Sequence, residues 1–306
     1  MKHVRSIRVV IQRWVAYMVL FSAPVFSSRV AVAQHPSEVQ KLSAEGDHFK
    51  ALTLFELLPT KKVGTDTRIF VAKSAWALGL NRQAGELFDA VLRDKSISAE
   101  VRARVTLSRG AIEYQEGRYQ EAALYAEKAT SLLADSSPLR GRGYLLWGQA
   151  LVRAGSIGTA EEKLKAALTD AEGQDKPEIN FTLAGVEMRL GKFAEAERRL
   201  RAIPTDHERT PLAVRMLASI ALETQSYERA RFWIERGKSD YPEGFIDSWA
   251  EYGLLRSRLA EGDMTKAREI VEQAGKQYAP SDPWLILMQA ALEGSEWDRQ
   301  QSLEAQ

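Results

Sequence analysis

The sequence of 306 residues contains no cysteine, which excludes disulfide cross-links, thiolate metal ligands and a thiol nucleophile. Histidine is scarce, with only His3, His35, His48 and His207. His207 sits in the charged string Asp206-His207-Glu208-Arg209, where a metal site needs ligands from elsewhere in the chain. No Gly-x-Gly-x-x-Gly run, Walker-type Gly-Lys-Ser/Thr string or His-Glu-x-x-His helix is present. The chain is therefore read as non-enzymatic, with no cofactor and no metal. Long apolar runs are also missing. The longest, Trp14 to Phe26, is interrupted only by Ser22 and Pro24. As a helix it covers about 20 Å, short of a hydrocarbon core of about 30 Å.

That short run has the setting of an export signal. Lys2, Arg5, Arg8 and Arg13 precede it, and Ala31-Val32-Ala33 follows in the small-x-small form that a signal peptidase reads. Residues 1–33 are expected to be a cleaved signal peptide, giving a mature chain that starts at Gln34, does not insert in the membrane and resides in a Gram-negative periplasm. An uncleaved anchor starting at Val9 is the alternative, at the cost of placing Arg13 in the bilayer. Of the 42 Lys and Arg residues, five fall in this segment, which leaves 37 against 41 Asp and Glu. The mature chain is net acidic, and no concentrated positive track exists for nucleic acid.

What fills the rest of the chain is a repeat. Gly155, Ile157, Ala160, Leu164 and Ala167 recur at the same offsets as Gly117, Tyr119, Ala122, Ala126 and Ala129, and again as Gly191, Phe193, Ala196, Leu200 and Ile203. With the glycine as a turn marker, the series is Gly46, Gly79, Gly117, Gly155, Gly191, Gln225 and Gly262, at intervals of 33, 38, 38, 36, 34 and 37 residues. Gly294 is a further candidate. Five residues after each of the seven markers stands an alanine: Ala51, Ala84, Ala122, Ala160, Ala196, Ala230 and Ala267. The pattern predicts helix, tight turn, second helix, with the small residue letting the two helices approach closely. One such pair cannot bury its own apolar faces, so the pairs must stack. Tyr119, Phe193, Tyr227 and His48, just past the turns, are expected to pack within their own units, as is Trp147.

The pattern resembles the tetratricopeptide repeat, whose signature places tryptophan, leucine-glycine and tyrosine before alanine, phenylalanine and proline. Tyr144 to Ala167 carries Gly148, Leu151, Gly155, Ile157, Ala160, Leu164 and Ala167 at the family's spacing; Ala218 to Pro242 carries Ala218, Ala221, Tyr227, Ala230, Ile234 and Pro242. In the second segment Gln225 replaces the turn glycine and Gly237 the third alanine, and the first-helix aromatic, Tyr144 in one unit, is Asn180 and Thr106 in others. The chain thus resembles an exported bacterial member with degenerate repeats. The resemblance implies an all-α, right-handed superhelical solenoid of antiparallel helix pairs: a single array over residues 34–300, of about seven pairs with a C-terminal capping segment, and a flexible tail at 301–306. Looser loops are expected at 58–67, 134–141, 171–177 and 204–211.

In that family the first helices line a concave surface that holds the ligand. By offset from each marker, the corresponding positions are Ile69 and Trp76; Arg104, Leu107 and Tyr114; Arg142, Leu145 and Gln149; Phe181 and Met188; Arg215; and Trp249, Tyr252 and Arg256. Aromatics offer rigid contact area and arginines forked donors, a combination enriched where proteins bind proteins. Trp249, near the end of the array, is also placed to pack against the segment containing Trp284 and Trp297. The carboxylate clamp of chaperone-binding members is not expected, because the corresponding first-helix places are Ala111 and Gln149 in place of asparagine, and Gly185 and Ser219 further on. The function expected is an exported scaffold for an envelope-associated assembly, binding another exported or envelope protein in the groove. The alternative is an accessory factor in polysaccharide synthesis or secretion, with Trp76, Tyr114, Trp249 and Tyr252 stacking on sugar rings.

Overall fold

The computed structural model describes residues 35–59 and 63–304, and the expected signal segment lies outside them. The described residues are helical throughout, with no strand among them, and divide into two compact units. The first, ending at Glu116, holds α1 (Pro36–Ala44), α2 (His48–Glu56), α3 (Thr65–Ala77), α4 (Asn81–Leu92) and α5 (Ala99–Gln115). The second, from Gly117, holds α6 (Tyr119–Ser131), α7 (Leu139–Arg153), α8 (Ile157–Asp170), α9 (Lys176–Arg189), α10 (Phe193–Arg201), α11 (Thr210–Glu223), α12 (Tyr227–Asp240), α13 (Trp249–Ala260), α14 (Met264–Gln277) and α15 (Pro283–Glu304). The fold class is the all-α solenoid of antiparallel helix pairs.

Helix starts follow local chemistry. Asp47, Ser98 and Asp263 accept the backbone N–H groups of Lys50, Val101 and Lys266, and Pro177 and Pro211 occupy first-turn positions where the missing N–H costs nothing. Helix ends follow the repeat. Gly46, Gly79, Gly117, Gly155, Gly191 and Gly262 all have φ between 72° and 87°, and Gln225, with φ 54°, is the one non-glycine in this region among the described residues. The residue after the turn then bonds back five places: Leu80 N–H to Ala75 O at 2.8 Å, Ser156 to Leu151 at 2.9 Å, Lys192 to Glu187 at 2.8 Å and Ser226 to Ala221 at 2.8 Å. This closes the first helix and satisfies one of its last carbonyls.

The seven alanines are fully buried, at 0% exposure each. At α7 and α8 the approach is close enough that a methyl on Gly148 would lie 2.5 Å from Leu164 Cγ. The first unit buries Val39, Leu52, Val71, Phe88, Val91 and Ile112. The second has one cluster around Leu164, Leu183 and Val186, a larger one from Ala184 to Ala250, and a last one of Leu255, Ala267, Ala274, Leu285 and Met288. Phe193 and Tyr227 pack against the larger cluster. Tyr119 lies under the Arg153 guanidinium, 5.1 Å from its ring centre, and accepts its hydrogen bond at 2.9 Å.

One expectation is corrected at the C-terminus. Gly294 is not a turn but lies inside α15, which runs to Glu304. The residues after it are mostly helix formers, and the alanine five places on is replaced by Arg299, so no second helix is specified there. Of the expected loops, 171–177 contains a single 3-10 turn, Gly173–Asp175, and a similar turn, Pro242–Gly244, precedes α13.

Candidate functional site

Counting back from each turn residue, the expected contacts fall three, six, ten and thirteen places upstream, a spacing that keeps them on one helix face. The position ten places back is the most uniform. Ile69 and Leu107 in the first unit, and Leu145, Phe181, Arg215 and Tyr252 in the second, are all half-buried. Trp76 and Tyr114 in the first unit and Met188, Gln149 and Arg256 in the second share that partial exposure, while Arg104 and Arg142 are exposed. In the first unit the Trp76 indole N–H donates to Gln115 Oε1 at 2.6 Å, and Arg104 stands 3.7 Å from Glu100.

Trp249 departs from this face. It is 7% exposed, its ring lies 6.1 Å from Phe245, and it belongs to the core of the second unit. The physical reason is the irregular stretch before α13, which brings Phe245 into the core next to Gly237. A methyl at Gly237 would collide with the Phe245 ring. Glycine in place of the family's alanine thus makes room for an aromatic side chain. Trp284, not Trp249, meets Tyr252, with ring centres 5.2 Å apart.

The arginines also differ from expectation. Arg142 forks onto Asp175 at 2.9 and 3.3 Å, Arg215 onto Asp247 at 3.0 and 2.8 Å, and Arg256 reaches Glu223 at 3.3 Å, partners 33, 32 and 33 residues away. Arg209 with Glu178 and Lys192 with Glu161 repeat the arrangement at 31 residues. These are ties between neighbouring repeats, and they occupy the donors that a partner's carboxylates would need. Asp175 and Glu178 hold the guanidiniums of Arg142 and Arg209 above their ordinary range, and Lys165 and Lys192 hold the Glu161 carboxyl below its own. Single exposed pairs contribute about 0–1 kcal/mol, but forked ones fix geometry. Arg209 in addition lies over the Phe181 ring, 5.3 Å from its centre, and so orients that half-exposed aromatic.

One buried carboxyl stands apart. Glu187 is 1% exposed, meets Arg199 at 3.4 Å through Oε1, and leaves Oε2 without a partner. Burial pushes its pKa up, partly offset by Arg199. His48 meets the Ser74 hydroxyl of α3, in the next helix pair and not within its own, at 3.2 Å, and His207 Nδ1 accepts the nearby Arg209 backbone N–H at 3.2 Å. Among the described residues there is no group of three or more His, Cys, Asp or Glu arranged for a metal, and no helix long and apolar enough to cross a membrane.

Sequence reasoning missed an open, mostly apolar surface groove of about 300 Å³ in the second unit. Leu124 of α6 and Trp147 and Leu151 of α7 line it, with Gln120 and Glu127 at its polar edge. Leu124 is 64% exposed. Trp147 stacks on Tyr144 with ring centres 6.1 Å apart, and Lys163 Nζ stands 4.2 Å from its ring centre. A signal was present: seven places after the turn marker the other repeats have Thr53, Glu86, Glu162, Arg198 and Glu269, and only Leu124 and Phe232 break that polar column.

No curated protein matches the chain. Among solved structures, PilF of Pseudomonas aeruginosa is similar at 17% identity over 68% of this chain and 92% of that one, with a TM-score of 0.55. MamA from Desulfovibrio magneticus, from its residue 41 to its end, has 17% identity over 54% and 88%, TM-score 0.46. YrrB, described as a TPR protein with an unusual peptide-binding site, has 17% identity over 58% and 87%, TM-score 0.48. At such identity the likeness to PilF shows the fold alone. Family models described as tetratricopeptide repeat match residues 72–139 and 151–220, so these two segments are similar to the repeats of that family.

Proposed function

We propose that this chain is an exported, non-enzymatic scaffold that holds another exported or envelope protein on the face formed by its first helices, as part of an envelope-associated assembly. The observation that carries the reading is the half-buried column ten places before each turn: apolar or aromatic at Leu145, Phe181 and Tyr252 in the second unit, with Arg215 among them. Half-burial pre-orders these side chains while leaving apolar area to cover, which lowers the entropy cost of binding. Ile69, Leu107, Trp76 and Tyr114 offer the same kind of surface in the first unit. Because Arg142, Arg215 and Arg256 are tied within the chain, the partner is held by apolar area more than by charge. The periplasmic location rests on the basic leader, short apolar run and Ala31-Val32-Ala33 site.

In-cell photo-cross-linking tests the binding face. A photoreactive residue at Leu145 or Phe181 is expected to give discrete adducts with an envelope protein, and one at Glu162 or Arg198 on the second helices is not. Adducts from the second-helix positions alone would overturn the assignment. N-terminal sequencing of the exported product is expected to begin at Gln34; full-length chain in the membrane fraction would identify an anchor instead.

A further inference from the structure

In the register of the turns, the place eleven residues before Gly155 is Tyr144, and the same place before Gly191 is Asn180. Tyr144 is half-buried and fills its place with a ring that stacks on Trp147, under the Arg140 guanidinium. Asn180 is shorter by a ring, and beside it a partly enclosed pocket of about 120 Å³ opens between α9 and α10. Its wall is Asn180 of α9 with Glu195, Arg198 and Arg199 of α10 and Ala202 at that helix's end. The volume is that of about four waters.

The donors of this wall are open. Asn180 is 8% exposed, yet its side-chain amide makes no hydrogen bond with any described residue, where a buried amide ordinarily has a partner. Arg198 stands 3.9 Å from Glu195, too far for a hydrogen bond. Arg199 commits only its ε N–H, to Glu187 at 3.4 Å, which leaves its two terminal nitrogens for a third group.

Charge and shape select the ligand. Arg198 and Arg199 against Glu195 give the wall a net charge of +1. A carboxylate carries one negative charge and two coplanar oxygens suited to guanidinium and amide donors, whereas a phosphate carries about −1.5 to −2 and would stay under-neutralised. We propose that this pocket binds a carboxylate, one oxygen received by the terminal N–H groups of Arg199 and the other by the Asn180 amide, with Arg198 at the mouth. Either a free organic acid or the carboxylate of a peptide supplies this chemistry. Four of the five wall residues belong to α10 or its end, so the site is distinct from the first-helix column and stands without the partner assigned to it.

The sequence offers a direct reporter, because its only asparagines are Asn81 and Asn180, and the Asn81 amide already donates to Glu116. In the exported protein, isotope-labelled at the asparagine side chains and read by NMR, sodium acetate is expected to shift the Asn180 signal saturably. The Asn81 signal and sodium chloride are the controls. A short peptide with a free C-terminal carboxylate and its amidated form separate the sources: tighter binding of the free-acid peptide than of acetate assigns a chain terminus, and equal binding a free acid. Arg198→Gln, a surface change, and Arg199→Lys, which keeps the charge but loses the fork, are each expected to weaken acetate binding at least about threefold. Circular dichroism and the Asn81 signal are expected to stay unchanged; should Arg199→Lys melt lower, Arg198→Gln decides. No saturable shift at Asn180, the same shift with chloride, tighter binding of phosphate, equal binding of the amidated peptide, or undiminished binding by Arg198→Gln would overturn the proposal.

Discussion

The guanidinium of Arg215 grips both carboxylate oxygens of Asp247, at 3.0 and 2.8 Å, while its plane lies 4.5 Å from the centre of the Trp249 ring. One side chain of α11 thus ties down both the loop before α13 and the buried tryptophan that begins it. A fork and a stacked plane are properties of arginine that lysine lacks. Arg215→Ala is expected to lower stability by about 1–2 kcal/mol, the ion pair being partly screened by solvent, and Arg215→Lys to recover less than half of that. Denaturant melts of the three proteins check this; full rescue by lysine would show that the fork and the stacking are immaterial.

Gln225 occupies a left-handed turn conformation that six glycines hold elsewhere. A side chain there costs about 1–2 kcal/mol, part of which glycine returns as unfolded-chain entropy. Gln225→Gly is expected to stabilise by up to about 1 kcal/mol, whereas Gly155→Ala is expected to destabilise by a similar amount. Both are read from thermal unfolding.

Gly148 and Gly275 are both helical but sit in opposite surroundings. A methyl at Gly148 meets Leu164 at 2.5 Å, and one at Gly275 meets nothing within 4 Å. Gly148→Ala is expected to cost about 1–3 kcal/mol through overpacking, and Gly275→Ala to gain up to about 1 kcal/mol through helix propensity. Equal shifts in the two melting temperatures would contradict the close approach of α7 and α8.

Burial, with the Glu251 carboxylate beside it, pushes the Tyr278 hydroxyl up to about 12 from 10.0. Because the folded value is the higher, the associated stability is complete below pH about 10 and is lost as pH rises toward about 12. Spectrophotometric titration is expected to show one late-ionising tyrosine, absent in Tyr278→Phe, whose alkaline stability profile is flatter.

Asp94 runs the other way. Hydrogen bonds from the Ser96 hydroxyl and backbone N–H and from the Thr65 hydroxyl hold its carboxyl at about 2. A depressed folded value gives stability that is present above the unfolded value near 4 and is lost as pH falls toward about 2. Asp94→Asn is expected to flatten the acid limb of the stability profile between those values.

The helix pairs were legible because their determinants are local: a residue able to take positive φ, and an alanine five places later. Gln225 was found by register even though its residue type gives no hint. The charge ties were not legible, because a pair such as Arg215 and Asp247 is 32 residues apart and many carboxylates stand at comparable distances along the chain. Trp249 was misplaced for a related reason. Its offset put it on the exposed face, but the turn at Pro242–Gly244 brings Phe245 against it and closes the core over both. Gly294 had the right residue type and nearly the right interval, yet no alanine column followed to receive a second helix. The groove at Trp147 was visible only as one apolar side chain, Leu124, in a column of mostly polar ones.

The neighbour-to-neighbour ties of the second unit bear on how the array comes apart. Where each charge pair links only adjoining repeats, opening one joint leaves the next with its own set of bonds, and unfolding proceeds as fraying between quasi-independent segments. Severing the Arg215 fork then loosens the joint between α11 and α13 ahead of the Arg142 and Asp175 joint further up. An array built this way can flex at one repeat while the others keep their spacing.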